Sequence, residues 1–412
     1  MNIGFVGLGK LGLPVAYAMG SRGHRVLGWD ESAEARAEAE ARRLPPGEHA
    51  PEGLVQGSDV SVAPLEEVVR EAEIVFLAVQ TPHEPALDGA TRLPDHRSDF
   101  DYSYLAAAAR SIAAAAGAQG VSPTLAVIST VLPGTMEREV APLLPDGMAL
   151  AYNPFFTAMG TTIADFLAPE FVLIGVADEV GDADLARFYR TIHDRPLFTT
   201  DVRTAELTKL AYNTFIGQKI VFANTMMEIA HKVGGNVDDL TGALALASER
   251  IVSPRYLRGG MGDGGPCHPR DNIALSWLSE RLDLSHDIFG DIMEAREHQA
   301  EWLADLIAER ADGRPVVVLG KAFKPESHLT AGSPATLLAA ILEERGIAFD
   351  HHDAHVDGPG PPIDERPPSL FFVATGHREY QEASFPPGSV VLDPWGCIAD
   401  QAGVEVVRIG RP

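Results

Sequence analysis

The chain has 412 residues, 33 of them basic and 58 acidic, which gives room for two or three domains and a formal net charge of −25. So acidic a surface repels the phosphates of nucleic acids and of anionic membranes, and we expect neither as a partner. Only two cysteines, Cys267 and Cys397, are present, which excludes a disulfide scaffold. The low cysteine content, together with the lack of a signal-peptide pattern and of a membrane-length apolar run, predicts a cytoplasmic protein.

Strands and helices alternate over the first part of the chain. Continuous apolar runs, typical of parallel strands buried on both faces, predict strands at 2–7, 24–30, 73–79 and 124–130. A charged helix is predicted from Ser32 to Arg43. This alternation is typical of a doubly wound α/β domain, and we place that first domain at 1–200.

A long helix is predicted in the middle of the chain. Residues 204–234 contain no proline and have apolar residues at helical spacing, among them Leu207, Phe215 and Phe222. We therefore expect a helix that is mostly buried. It opens a helical connector that we place at 201–311.

Further helical signal follows this long helix. It reaches Arg250 and resumes from Asn272 to about Ala311. Between the two, residues 259–269 are rich in glycine and proline, which predicts a loop.

A second α/β unit is predicted at 312–412. Its apolar runs indicate strands at 314–320, 370–374 and 390–393, and its proline- and glycine-rich stretch at 358–368 indicates a surface loop. The predicted fold class is therefore α/β, with two Rossmann-like doubly wound domains joined by a long central helix.

A glycine motif, Gly7-Leu8-Gly9-Lys10-Leu11-Gly12, lies between the first predicted strand and the first helix. In a dinucleotide site the first glycine allows a tight turn, the second admits a pyrophosphate, and the third packs the helix on the strand. Asp30, at the end of the second strand, would accept a hydrogen bond from a ribose 2′-hydroxyl and repel a 2′-phosphate. The pattern predicts NAD rather than NADP; the alternative is a tight turn that binds nothing.

Lys209 and Asn213 lie four residues apart on the long predicted helix and therefore share one face. Such a pair can polarise and orient a substrate oxygen while NAD accepts a hydride. The alternative is that both side chains are simply solvated at the surface.

The loop Gly262-Asp263-Gly264-Gly265-Pro266-Cys267 leads towards the next helix. Glycines permit close approach of a ligand, and a helix N-terminus lowers the pKa of a nearby thiol. A cysteine beside an NAD site can trap an aldehyde as a thiohemiacetal, from which a second hydride leaves. The alternative is a buried, inert cysteine, an interpretation that fits Cys397 better. No Cys/His cluster has metal-ligand spacing, so no metal site is predicted.

Seven spaced stretches resemble the UDP-glucose/GDP-mannose 6-dehydrogenase family over nearly the whole chain. They are GLGKLGLP at 7–14, AVQTP at 78–82, STVLPGT at 129–135, NPFFTAMGTTIADF at 153–166, AELTKLAYNTF at 205–215, GMGDGGPCHPRD at 260–271, and GKAFKP at 320–325 with SP at 333–334. The resemblance implies four-electron oxidation of a nucleotide sugar at C6 with two NAD per sugar. It also implies a homodimer formed through the central helix.

The resemblance also assigns roles position by position. Cys267 matches the family's nucleophile and Asp271 its partner in water activation, while Lys209 and Asn213 match the pair that stabilises the oxyanion. Thr130, in the hinge of the first domain, is matched both to catalysis and to the cofactor. The cofactor set is Gly7, Gly9, Lys10, Leu11, Gly12, Asp30, Thr81, Pro82 and Thr130. The substrate set is Phe155, Lys209, Asn213, Arg250, Tyr256, Gly264 and Lys324, of which Arg250 matches an arginine that reaches the sugar from the neighbouring subunit.

The chain departs from the family where the family pattern reads NPEFLREG. Phe155 replaces the glutamate that acts as the base in thioester hydrolysis, and Met159 replaces a second acid. Ala331 and Arg270 stand where the family has an arginine and a lysine. Four outcomes stay open: slower hydrolysis through another group such as Asp271, arrest at the aldehyde, acyl transfer to another nucleophile, or a different sugar or nucleotide.

Two other functions stay open as well. A β-hydroxyacid-type NAD dehydrogenase would share the glycine motif and the Lys/Asn helix, but it needs neither Cys267 nor a second α/β domain. A family member that binds NAD and a nucleotide without turnover would explain Phe155. The presence of Lys209, Asn213, Cys267 and Asp271 argues for chemistry instead.

Overall fold

The structure, a computed structural model, describes residues 1–82, 98–158, 160–177, 179–253, 259–261, 269, 272, 276 and 279–411. Its contacts divide the chain into two compact units, Met1–Gly217 and Gln218–Pro412. The boundary between them falls inside the long helix. The three-part division predicted from the sequence, with boundaries after 200 and 311, stays a prediction.

The first unit contains an eight-stranded sheet in the order β3-β2-β1-β4-β5-β6-β7-β8, parallel except for the antiparallel pair of β6 and β7. The first six strands follow the Rossmann order 3-2-1-4-5-6. The strands are β1 (Asn2–Val6), β2 (Arg25–Trp29), β3 (Val60–Val62), β4 (Ile74–Leu77), β5 (Thr124–Val127), β6 (Leu150–Tyr152), β7 (Val172–Val176) and β8 (Leu197–Thr200).

Helices cover both faces of this sheet, which explains the continuous apolar strands. In β4, Ile74 and Phe76 face one hydrophobic cluster while Val75 and Leu77 face another. The helices of this unit are α1 (Gly12–Ser21), α2 (Ala33–Glu40), α3 (Leu54–Gly57), α4 (Leu65–Glu71), α5 (Ser103–Gln119), α6 (Thr162–Leu167) and α7 (Glu179–Arg190). A π-helical turn at Met136–Val140 and a 3-10 turn at Ala141–Leu143 follow β5.

The predicted long helix is α8 (Val202–Val233), which is 32 residues long and is followed by α9 (Val237–Ala245). The expectation that it is mostly buried is wrong for a single copy of the chain. Leu207 is 57%, Phe215 41% and Met227 52% exposed, because no layer of the described chain covers them. Of the helices that the structure describes, none has both the length and the hydropathy to cross a bilayer.

The predicted helix from 272 to 311 is interrupted. Residues 284–287 are not helical, and α10 begins only at Ile288 and ends at Ala311. Asp283 adopts a left-handed backbone with φ of +52°, which a continuous helix does not allow. Asp287 then caps the new helix, its carboxylate accepting a hydrogen bond from the Gly290 amide at 3.1 Å.

The second unit contains a five-stranded parallel sheet in the order β10-β9-β11-β12-β13, the 2-1-3-4-5 order of the other common doubly wound fold. Two strands, β10 and β13, were not predicted; β10 has only one apolar residue, Phe349, among its four. The strands are β9 (Val316–Leu319), β10 (Phe349–His352), β11 (Leu370–Val373), β12 (Val390–Asp393) and β13 (Glu405–Arg408). The helices are α11 (Pro334–Glu344), α12 (Ala354–Asp357) and α13 (Arg378–Gln381), with a 3-10 turn at Ile363–Glu365.

Candidate active site

The glycine motif forms the turn between β1 and α1, and its three glycines have different surroundings. Gly7 has φ of +100°, and a Cβ there would strike the carbonyl of Ala78. A Cβ on Gly12 would strike the carbonyl of Gly7. Around Gly9, by contrast, a Cβ would meet nothing within 4 Å, so this residue faces open space. The three positions therefore match the turn, packing and phosphate-approach roles expected from the sequence.

Asp30 lies at the rim of a cleft of about 670 Å³ next to this turn. One carboxylate oxygen accepts a hydrogen bond from the Leu8 amide at 2.7 Å and the other from the Ser32 amide at 2.8 Å. Each oxygen has a second lone pair, so the carboxylate can still accept from a ligand. The cleft is lined by Val6, Gly7, Gly9, Trp29, Asp30, Glu31, Ser32, Ala78, Val79, Gln80, Tyr104, Ala107, Ala108 and Ser111.

The other predicted cofactor residues lie around this cleft. Lys10 is exposed in the glycine turn, and Leu11 packs against the core. Thr81 donates a hydrogen bond to the Thr130 carbonyl at 2.7 Å, and the Pro82 carbonyl accepts one from the Asp101 amide at 2.7 Å. Thr81, Pro82 and Thr130 thus follow the carboxyl ends of β4 and β5, although they do not line the cleft itself.

Glu206 is a fully buried carboxylate in the second turn of α8. It accepts hydrogen bonds from the amides of Gly134 at 2.5 Å and Met136 at 2.8 Å. Burial raises the pKa of Glu206, and the two amide hydrogen bonds oppose that rise. The side chain ties α8 to the loop after Thr130, a role that the sequence analysis missed. Its one signal is a carboxylate three residues before Lys209 on a predicted helix.

Lys209 is only 9% exposed, and its contacts are unusual for a lysine. Its ammonium donates a hydrogen bond to the Phe155 carbonyl at 2.7 Å and lies 4.8 Å from the centroid of the Phe156 ring. Burial lowers the pKa of Lys209. A cation held by a carbonyl and an aromatic face keeps donors available for a ligand oxygen.

Lys209 and Asn213 line one cleft of about 380 Å³, as their spacing predicts. Asn213 is exposed to this space. Two carboxylates, Asp165 and Glu170, line the same cleft, and together with burial they raise the pKa of Tyr212. The remaining lining residues are Phe156, Thr157, Ala158, Ala168, Pro169, Phe171 and Ile216.

The Phe155 side chain is half-buried and packs against the first hydrophobic cluster. Its ring centroid lies 5.3 Å from that of Phe166 and 6.5 Å from that of Phe76. Only its backbone carbonyl faces the lysine. Phe155 therefore acts as a packing group through its ring and as an acceptor for Lys209 through its carbonyl.

The remaining predicted residues divide into two groups. Arg250 and Lys324 are exposed in the second unit, where the Lys324 ammonium lies 5.6 Å from the Phe323 ring centroid. Cys267, Asp271, Tyr256 and Gly264 lie outside the described residues, so their predicted roles stay predictions.

One cluster of the second unit has ligand atoms close enough for a metal. Atoms of Glu326, His355 and His377 lie within 4.8 Å of one another. However, Nδ1 of His377 accepts a hydrogen bond from the Glu326 amide at 2.9 Å, and its Nε2 lies 3.2 Å from an Asp353 oxygen. Both ring nitrogens are thereby used, so His377 keeps no lone pair for a metal.

Sequence comparison agrees with this arrangement. Residues 1–193 match the NAD-binding domain of the UDP-glucose/GDP-mannose dehydrogenase family, and residues 203–298 match its central domain. The GDP-mannose 6-dehydrogenase of Pseudomonas aeruginosa is 29% identical over 370 residues, which cover 87% of this chain and 82% of that protein. The UDP-glucose 6-dehydrogenase of Rickettsia conorii is 28% identical over 364 residues, covering 85% and 81%.

Two solved structures are similar along nearly the full length. A ternary complex of GDP-mannose dehydrogenase from Pseudomonas aeruginosa has a TM-score of 0.87 at 26% identity, covering 98% of this chain and 99% of that one. A UDP-glucose dehydrogenase from Pyrobaculum islandicum has a TM-score of 0.54 at 28% identity, covering 99% and 96%. The predicted fold class and family are confirmed. The chain belongs to the UDP-glucose/GDP-mannose dehydrogenase family, and NAD is its cofactor.

Proposed function

We propose that this protein oxidises the C6 hydroxyl of a nucleotide sugar with NAD, and that Lys209 and Asn213 hold the sugar oxygen. The observation that carries the proposal is the buried Lys209, which shares a cleft with Asn213 and has no ion-pair contact with a carboxylate among the described residues. The C6 hydroxyl must give up its proton, here to water, for a hydride to leave the carbon, and a preorganised ammonium and amide stabilise the negative charge that then develops on the oxygen.

The first cleft fits NAD, which supplies the hydride acceptor. Gly9 leaves room for a pyrophosphate against the backbone, and the amides at the start of α1 donate to phosphate oxygens. Asp30 offers its unused lone pairs to the ribose hydroxyls. Its negative charge opposes a 2′-phosphate, which favours NAD over NADP.

For the second oxidation, the family resemblance supports Cys267 as the nucleophile. Its thiolate adds to the C6 aldehyde carbon and forms a thiohemiacetal. Loss of a second hydride gives a thioester, and water then releases the acid and restores the thiol. Phe155 supplies no base for this last step, and loss of a positioned base slows the step it serves by roughly 10²–10⁴-fold. We therefore expect an acyl-enzyme that accumulates, or release of an incompletely oxidised product.

Glu170 is our candidate for a substitute base. It lines the cleft of Lys209 and Asn213, and it is exposed, so water can reach it. Asp165 in the same cleft already accepts hydrogen bonds from the Ala158 amide at 2.9 Å and from Thr161 Oγ1 at 2.7 Å. Glu170→Gln should lengthen the lifetime of the acyl-enzyme, while Asp165→Asn serves as the matched control.

Restoring the family glutamate at position 155 should not restore the base. A carboxylate there would take the place of a ring packed between Phe76 and Phe166. The site is half-buried, and the charge would replace aromatic packing with partial desolvation of a carboxylate. We expect Phe155→Glu to lower the unfolding midpoint and to leave acid release no faster; faster release by a stable variant would contradict this account.

The decisive experiment counts NADH per sugar with GDP-mannose first, because the fold superposes best on GDP-mannose dehydrogenase of the two structures compared above. UDP-, CDP- and dTDP-sugars complete the panel. Two NADH per sugar indicate the acid, one indicates the aldehyde, and no turnover on any of them refutes the proposal. Intact mass should show an acyl adduct that Cys267→Ser abolishes together with the second NADH.

We also propose that a second copy of the chain covers α8. The exposed apolar side chains Leu207, Phe215, Phe222 and Met227 follow its length, and an apolar helix face of this extent favours burial. Phe222→Asp with Met227→Asp should convert a dimer into a monomer in light scattering, whereas an unchanged mass would refute this interface. The cytoplasmic location inferred from the cysteine content stays a prediction.

A further inference from the structure

The loop after β6 holds the Lys209 ammonium with two consecutive residues. Phe155 accepts its hydrogen bond through the backbone carbonyl at 2.7 Å, and the ring centroid of Phe156 lies 4.8 Å from the same nitrogen. An aromatic ring within ~6 Å of an ammonium attracts it through the negative face of the π system. The loop therefore provides Lys209 with two attractive contacts, neither of which is a carboxylate.

The carboxylates on the elements around Lys209 have other partners or face solvent. Glu206, on the same helix, accepts hydrogen bonds from two amides of the loop beyond β5. Asp165, in α6, accepts from an amide and a hydroxyl of its own segment, and Glu170 is exposed. Tyr212 is the other titratable group among the described residues that line this cleft. None of these groups forms an ion pair with Lys209 in the part of the chain that the structure describes.

Phe156 is itself held by two other rings. Its ring centroid lies 4.5 Å from that of Tyr212 and 4.8 Å from that of Phe171. Tyr212 is on α8, three residues after Lys209, so the ring that faces the ammonium packs against the helix that carries it. All three rings line the cleft of Lys209 and Asn213. Aromatic pairs at these distances attract each other beyond the gain from burial, which stabilises the position of Phe156.

We infer that Phe156 is a positioning residue whose ring keeps Lys209 charged and leaves its donors free for the sugar oxygen. The inference rests on the function proposed above for Lys209. An ammonium has three N–H donors, of which the Phe155 carbonyl takes one. A ring stabilises the charge without a lone pair that would take another donor, whereas a carboxylate would accept from the ammonium and neutralise it. The remaining donors can therefore stabilise negative charge on the C6 oxygen.

The direct test measures the titration of Lys209 by NMR. The chain has six lysines, so isotopic labelling of the lysine Cε carbon gives few signals, and Lys209→Met identifies that of Lys209. Burial already lowers the pKa of Lys209, and loss of the ring in Phe156→Leu should lower it further. Phe156→Tyr keeps an aromatic face and should titrate like the wild type. Phe171→Leu, the matched control, removes a neighbouring half-buried ring and should not lower the pKa of Lys209.

The same variants give a kinetic readout. If the ammonium is the active form, the rate of the first NADH falls as the pH rises through the pKa of Lys209. Relative to its own rate at neutral pH, Phe156→Leu should be about 2- to 30-fold slower than the wild type on the alkaline side, which corresponds to the strength of a cation–π contact. Phe171→Leu should keep the wild-type ratio. Unfolding midpoints show which variants are folded, and Phe156→Met is a second non-aromatic variant if Phe156→Leu is not.

The titration distinguishes the inference from the function on which it rests, because it needs no turnover. An unchanged pKa of Lys209 in a folded Phe156→Leu or Phe156→Met variant would overturn the inference alone. A lowered pKa without the slower alkaline rate would also overturn it, since the reaction would not depend on the charge that the ring maintains.

Two further outcomes concern the function itself. A wild type that oxidises none of the nucleotide sugars would refute the proposed function, and with it the role of Phe156 in the reaction, even if the pKa of Lys209 responds to the ring. A rate that rises with pH through the pKa of Lys209 would show that the neutral amine acts as a base, which would contradict both proposals.

Discussion

The two α/β units place a glycine turn and an acid at equivalent positions. After β1, Gly7 has φ of +100° and its amide donates to the Trp29 carbonyl at 2.9 Å. After β9, Gly320 has φ of +101° and its amide donates to the His352 carbonyl at 2.8 Å. In both units a residue just beyond the end of a neighbouring strand, Ala78 after β4 and Thr375 after β11, leaves no room for a Cβ on this glycine.

The acids differ in what surrounds them. Asp30 is half-buried and lines the 670 Å³ cleft, while Asp353 is fully buried. Asp353 accepts hydrogen bonds from the amides of Lys321 at 2.7 Å and Ala322 at 3.0 Å. Nε2 of His377 lies 3.2 Å from the same carboxylate. The same backbone arrangement thus borders an open cleft in one unit and is enclosed by the fold in the other. Access, rather than the glycine–acid pattern, distinguishes the two, and only the first leaves room for a dinucleotide.

Alanine at the two turn glycines gives the largest expected effect. Gly7→Ala and Gly320→Ala each combine a left-handed φ with a blocked Cβ, and each should cost about 3 kcal/mol in the free energy of unfolding. Only Gly7→Ala should abolish NAD binding measured by calorimetry. Loss of NAD binding by a folded Gly320→Ala variant would contradict the view that only the glycine turn of the first unit contributes to the NAD site.

Asp353→Asn should have the next largest effect. The amide group keeps only one acceptor oxygen. The amides of Lys321 and Ala322 share one carboxylate oxygen and the His355 amide uses the other, so one of these two sets of donors loses its acceptor. Unsatisfied buried donors cost roughly 1–3 kcal/mol. Urea unfolding should show that loss while the Kd for NAD is unchanged, and a weaker NAD complex would contradict the separation.

The loss of folding stability at low pH should arise in part from Asp353 of the second unit. Burial acts to raise the pKa of Asp353, but hydrogen bonds from His377, Lys321 and Ala322 outweigh it and hold that pKa below its usual value. A depressed folded pKa stabilises the protein above the pKa of an unfolded aspartate, ~3.9, and this stabilisation is lost as the pH falls through the folded value. Unfolding free energies between roughly pH 5 and pH 2 should therefore fall less steeply for Asp353→Asn than for the wild type. Equal slopes would show that Asp353 does not contribute.

Substitutions at the open cleft of the first unit should have the smallest effects on the free energy of unfolding. Asp30→Asn keeps a half-exposed side chain whose lost contacts water can replace, and Gly9→Ala adds a methyl group to open space. Both should change the unfolding free energy by less than about 0.5 kcal/mol. Each should nevertheless weaken NAD by at least about tenfold, which corresponds to 1.4 kcal/mol. Normal NAD affinity of Gly9→Ala would show that the pyrophosphate does not approach this residue.

The sequence predicts those parts of the fold that are local. The glycine motif and the buried strands around it are recognisable because their spacing and apolar runs need no tertiary knowledge. The spacing of Lys209 and Asn213 likewise places both in one cleft. The interruption at Asp283 was not predictable, since a non-glycine residue adopts the left-handed backbone there.

Other features depend on contacts distant in sequence. The hydrogen bond of Lys209 to the Phe155 carbonyl joins residues 54 positions apart. The sequence suggests only that Phe155 stands in place of a family glutamate; the structure adds that its ring packs against Phe76 and Phe166. The prediction that α8 is mostly buried was wrong for a related reason. Apolar periodicity shows that a helix face favours burial, but it does not show whether the surface that buries it belongs to the same copy of the chain.

The buried Glu206 has a mechanical consequence. It joins the start of α8 to the loop beyond β5, and Lys209 lies three residues later, within one turn of the same helix. The Lys209 ammonium and the loop beyond β5 are therefore anchored to each other within the first unit. On the proposed function, the separation between the group that polarises the sugar oxygen and the cofactor cleft is set by this unit alone.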